Sequence, residues 1–164
     1  MTPNERIAEA AWRAVFNQLG GLPTRPGWCL QAVRVIVEDA MSWPSHELYA
    51  RYLVAGTTRR PGTPEQRLAA ARLDPWAADM EASAKQLGWR VPGVERQAGD
   101  LVFNHAVAAP IGHVGVLISR DVVLENIDPA FRPGSVHLGH HSLSLTPYAA
   151  LPWTLVARVP ELAV

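Results

Sequence analysis

The apolar residues of this chain change their spacing near residue 98, and nothing else in the sequence constrains its fold as much. Up to that point they recur every three to four residues, the period of an α-helix. Beyond it they come in short runs bounded by Gly, Asn, Asp and Ser, which suit strands. The helical half is punctuated. Thr2-Pro3-Asn4-Glu5 and Thr63-Pro64-Glu65-Gln66 are capping boxes with proline at the first helical position. In each, hydroxyl and carboxyl or amide oxygens accept from amides that a helix end leaves unpaired. They predict helices over 3–19, closed by Gly20-Gly21, and over 64–73. Further helices are expected over 28–41, over 74–88 from Asp74-Pro75, and in a short piece holding Tyr49, Tyr52 and Leu53.

Strands are expected over 101–103, 112–118, 122–127, 143–145 and 154–159, with Ser119-Arg120-Asp121 turning a hairpin. Helices first and strands second, close enough for antiparallel pairing, predict an α+β fold. No repeat or linker divides the chain. Residues 1–164 therefore read as one domain, helical to about residue 90 and sheet-forming from about 98 to 160. That length can bury its apolar surface without disulfides or metals.

Fifteen basic and fifteen acidic residues cancel, so no strong field attracts nucleic acid or anionic lipid. No apolar run approaches the length of a membrane span, and the first residues lack the basic start and apolar run of a signal peptide. A single cysteine leaves the redox compartment open.

That cysteine, Cys29, follows a Pro/Gly-rich loop and falls in the first turn of the 28–41 helix. On position alone it is a small buried residue sharing a face with Val33, Ile36 and Ala40. A helix start also carries partial positive charge and unpaired amides, which stabilise a thiolate or an oxyanion. A nucleophile needs a base. Of six histidines, His46 reads as a solvated or capping residue and His105 as a loop residue without a partner. His137, His140 and His141 form a flexible cluster lacking metal-ligand spacing. His113 opens an apolar strand beside Gly112 and Gly115, small residues that leave room for a substrate. The hairpin returns Glu125-Asn126 alongside it. A two-residue turn places Asn126 opposite His113, whereas a three-residue turn puts Glu125 on its face. Either one would orient the imidazole.

A Cys at a helix start, then Gly-Asp-Leu-Val-Phe (99–103), Gly-His-Val-Gly-Val (112–116) and a polar residue on the next strand resembles the NlpC/P60 and CHAP superfamily. These are papain-like cysteine peptidases and amidases that cut peptidoglycan. The resemblance implies helices packed on a small antiparallel sheet, Cys29 as nucleophile and His113 as general base and acid. It gives the third role to Glu125, with Asn126 close behind, and makes the Cys29 amide the oxyanion donor. Trp28 and Gly112 are expected beside the substrate, and no cofactor or metal is called for. Trp28 stands where NlpC/P60 members keep Asp, and Glu125-Asn126 are adjacent where CHAP members show Glu-x-Asn.

The function expected is hydrolysis of peptidoglycan amides, as a stem-peptide endopeptidase or an N-acetylmuramoyl-L-alanine amidase. Delivery in the manner of a phage or prophage lysin accords with the absent signal peptide. The competing readings are an amidase, deamidase or acyltransferase with an intracellular substrate, and a catalytically silent binding module. Among other marked residues, Trp12, Trp76, Trp89 and Trp153 read as core or half-buried anchors. Asp100 reads as a turn former, and Arg59-Arg60 as a solvated loop.

Overall fold

The computed structural model describes residues 1–127 and 132–160. Five helices, α1 (Pro3–Val15), α2 (Cys29–Met41), α3 (Glu47–Tyr52), α4 (Pro64–Leu73) and α5 (Ala77–Gln86), precede the strands β1 (Leu101–Asn104), β2 (His113–Ser119), β3 (Val122–Asn126), β4 (Val136–His137), β5 (Leu143–Pro147) and β6 (Leu155–Ala157). The strands form one antiparallel sheet in the order β4-β5-β3-β2-β1-β6. The fold is α+β.

Both capping boxes form as read from the sequence. Thr2 Oγ1 accepts from Glu5 N–H while Glu5 accepts from Thr2 N–H at 2.7 Å, and Thr63 and Gln66 repeat the exchange. Helix ends differ from expectation. The first helix stops at Val15 rather than at Gly20-Gly21, because Asn17 takes a left-handed φ of 55° and closes the turn early. Helix α5 starts at Ala77, three residues after Asp74. Asp79 sets that start by accepting the Trp76 amide at 2.8 Å. The two-residue strand β4 lies in what the sequence suggests is loop.

Pleat alternation splits the sheet into two faces. Leu101, Phe103, Val114, Val116, Leu124 and Leu155 belong to the main core with Ile7, Ala11, Val33 and Ile36 of α1 and α2. Val102, Leu117, Val123 and Val156 form a second cluster, covered by Val91, Tyr148 and Trp153. Tucking α1 against the sheet requires Gly99. Its φ is +90°, and a Cβ there would stand 2.1 Å from the Asn4 carbonyl oxygen. Asp100 does more than shape the turn. It is fully buried, accepts from Asn4 Nδ2 at 2.6 Å and from Arg158 Nε at 2.8 Å, and so ties the first helix to the end of the last strand.

Arg60 also departs from expectation, for it is buried rather than solvated. Its guanidinium meets fully buried Asp79 through Nε and Nη2 at 3.0 and 2.8 Å and lies 3.7 Å from the Trp76 ring centroid. Asp79 further accepts the Thr57 and Trp76 amides. Asp79→Ala would strand the Arg60 charge, and chemical denaturation is expected to show a loss of about 3–5 kcal/mol. No helix among the described residues is long and apolar enough to cross a membrane.

Candidate active site

Cys29 is the first residue of α2. The N-cap residue, Trp28, offers no side-chain cap, so the first-turn amides stay open toward the thiol. His113 is the first residue of β2. Both are buried, each 6% exposed. His113 Nε2 lies 2.6 Å from Glu125 Oε1, which leaves Nδ1 as the ring nitrogen for Cys29. His113 acts on the Cys29 thiol through hydrogen bonding and charge, and Cys29 acts on His113 in the same way.

The electrostatics follow from this chain of contacts. Burial pushes the Cys29 thiol up. The hydrogen bond and charge of His113, with the Val114 and Leu30 amides, outweigh burial and leave the thiol below its ordinary value. Burial works against protonation of His113, yet its bonds to Cys29 and Glu125 and their charges raise it to about 9. Burial also acts to raise Glu125, but His113, the Thr146 hydroxyl and Arg132 hold the carboxyl below its usual range. Each group thus favours the charged form of the other, the thiolate of Cys29 and the imidazolium of His113.

Strand register selects Glu125 over Asn126. Val116 pairs with Leu124 and Leu117 with Val123, so the ladder continued toward His113 sets Glu125 opposite Gly115 on the His113 face. The tip of the hairpin is the two-residue turn Arg120-Asp121 between Ser119 and Val122. Ile118 is an extra, unmatched residue, and this bulge restores the parity that a three-residue turn would give. Gly115 serves a different end from the one expected. A Cβ there would lie 2.5 Å from Val123 Cγ1 and 3.5 Å from Glu125 Cγ, so its missing side chain makes room for β3 and not for substrate. Gly112 lines neither cleft of the site. It packs on Ala78, whose amide nitrogen would be 3.1 Å from a Cβ.

Asn126, 2% exposed, faces away from His113. Its Oδ1 accepts the Trp28 amide at 3.0 Å and its Nδ2 donates to the His141 carbonyl at 3.0 Å. It clamps the turn before Cys29 onto β3. Asn126→Ala leaves both partners unsatisfied and is expected to cost about 1–3 kcal/mol, read as a lower denaturation midpoint at unchanged m-value.

Three neighbours of the site carried no sequence signal beyond residue type. The Trp153 ring stacks on His113 at 5.9 Å between centroids, Arg132 Nε lies 3.5 Å from Glu125 Oε1, and the Tyr49 phenol shares the Cys29 cleft. Burial is the chief cause that raises Tyr49 to about 12. Other histidines sit elsewhere. His46 is an exposed N-cap residue of α3 bonded to Ser45 Oγ, and His105 does have a partner, buried Glu81 at 3.0 Å. His137 meets Ser144 Oγ, and His140 meets His141 and the Val15 carbonyl. Among the described residues no three His, Cys, Asp or Glu are grouped to hold a metal ion.

Two clefts share Gly27, Cys29 lining one of them and His113 the other. One, of about 400 Å³, runs past Trp28 and Cys29 to Arg72 and Trp76. The other, of about 540 Å³, runs past His113 and Asn126 between Val107, Ala108 and Ile127. Trp28 is 48% exposed in the first, whereas Trp89 is buried and Trp12, 41% exposed, stacks on Phe16 outside the core. No protein-family model matches this chain, and no curated protein or solved structure matches it significantly.

Proposed function

We propose that this protein is a papain-like cysteine hydrolase of amide bonds in bacterial peptidoglycan, cutting either within the stem peptide or between muramic acid and L-alanine. The observation that carries the chemistry is the buried line Cys29–His113–Glu125 beside two open clefts that share Gly27. Supporting the substrate is the motif order, Gly-Asp-Leu-Val-Phe then Gly-His-Val-Gly behind a helix-start cysteine. Open clefts beside the thiol and beside the imidazole suit a chain that enters and leaves rather than a small molecule held in a closed cavity.

In the reaction the Cys29 thiolate attacks the amide carbonyl, and the Cys29 amide donates to the developing oxyanion. Protonated His113 gives its proton to the departing amine as the C–N bond breaks. Water enters, His113 takes its proton, and the hydroxide attacks the thioester to release the carboxylic acid and regenerate the thiolate. Glu125 holds the imidazole orientation and favours its charged form. Purified protein incubated with peptidoglycan should release soluble fragments with newly freed amines, seen by mass spectrometry. Absence of release across several wall types, or equal release by Cys29→Ala, would refute the reading.

A further inference from the structure

Glu125 is anchored through one oxygen. Oε1 meets His113 Nε2 at 2.6 Å and lies 3.5 Å from Arg132 Nε, whereas Oε2 is buried and no hydrogen bond of ordinary length reaches it among the described residues. A buried carboxylate oxygen without a donor is costly, and a carboxylate held at one end can turn about its last torsion. The second oxygen must be fixed if the first is to stay on His113.

Strand pairing shows what stands beside it. Glu125 of β3 is opposite Ser144 of β5, and Val123 is opposite Thr146. Opposed residues share a face, so Ser144 and Thr146 border Glu125 on the face that carries His113. Both are fully buried. The Ser144 hydroxyl is committed elsewhere, for its Oγ lies 2.6 Å from His137 Nδ1. Thr146 Oγ1 stands 3.3 Å from Ser135 Oγ, which is long for a bond between two hydroxyls. A hydroxyl carries one proton and can turn it to either side, and a charged carboxylate is a stronger acceptor than a neutral hydroxyl. The Thr146 hydroxyl also acts on Glu125 by hydrogen bonding, helping to hold that carboxyl below its usual range.

We infer that Thr146 is a positioning residue of the site: its hydroxyl donates to Glu125 Oε2, accepts from Ser135 in turn, and so fixes the carboxylate plane that presents Oε1 to His113. The inference rests on Cys29–His113–Glu125 as the working line of a cysteine hydrolase and is independent of the bond that line cuts. Without the hydroxyl, Oε2 has no donor and the carboxylate turns. The imidazolium then loses part of the hydrogen bond and charge that favour it, and His113 titrates at lower pH. The other titratable or charged groups about the line are Cys29 of α2, Arg132 after β3 and His137 of β4 behind Ser144. A change at Thr146 removes none of them.

The test follows the His113 ring by NMR through a pH titration of the full chain. It needs no substrate, so a failure to cleave peptidoglycan bears on the function proposed above and not on Thr146. Thr146→Val keeps the shape and removes the hydroxyl. It should lower the His113 titration by about half a pH unit, and Thr146→Ser should restore it. Ser135→Ala, at a half-buried position, should shift the titration the same way by less. On a substrate that the native protein cleaves, Thr146→Val should lower kcat by about three- to tenfold at unchanged KM and carry the alkaline limb to lower pH. An unmoved His113 titration in Thr146→Val, or one that falls as far in Thr146→Ser, would overturn the inference. If valine at position 146 prevents folding, an unmoved titration in Ser135→Ala would overturn it instead.

Discussion

Replacing Cys29 by alanine is expected to lower kcat by about 10⁵-fold or more, because no other described residue beside His113 offers a thiol or similar nucleophile once it is removed. The fold should survive, since alanine suits a first helical turn and one sulfur atom is all that leaves the core. A second readout belongs to the same variant. Two of the causes that raise His113 to about 9 come from Cys29, a hydrogen bond and a charge. In Cys29→Ala the His113 ring should therefore titrate at lower pH, followed by NMR. A variant that kept more than about 1% of activity, or an unmoved His113 titration, would mean that thiol and imidazole do not act together.

Glu125→Gln tests the other end of the line. Glutamine keeps the shape and removes the charge, and kcat is expected to fall by about 10²–10⁴-fold. The pH profile gives the sign. His113 is raised to about 9, so on the proposed mechanism the native protein should hold its rate through neutrality and lose it as pH rises through that value, when the leaving amine has no proton donor. On the acid side the rate fails as the thiolate is protonated, below the ordinary thiol range because Cys29 is held down. Glu125 supplies both a hydrogen bond and a charge that raise His113. Its loss should move the alkaline limb to lower pH. An alkaline limb left in place would exclude Glu125 as the partner that sets the His113 proton.

Asn126 shows how narrow the margin for such a reading can be. It neighbours Glu125 in sequence, is equally polar and equally able to orient a histidine, yet it spends both ends of its amide on Trp28 and His141. A one-residue change of register would exchange the two roles. The unmatched Ile118 decides the matter, and a bulge depends on how a hairpin twists against its neighbours, which no local pattern of apolar residues reports. Arg60 makes the same point for stability. Two adjacent arginines in a Pro/Gly-flanked loop look solvated, and only the approach of Asp79 from α5, nineteen residues on, turns one of them inward.

The sequence by itself determined the α+β order, the two capping boxes, the helix that begins at Cys29 and the strand that begins at His113. Each of these follows from contacts within a few residues, where hydrogen-bond geometry and side-chain period act locally. The tertiary structure alone decided which carboxyl or amide meets His113, that Gly115 yields its space to β3, that Trp153 covers the imidazole, and that two clefts share Gly27. These depend on groups brought together across the sheet and between the two halves of the chain, where packing and strand register outweigh local preference.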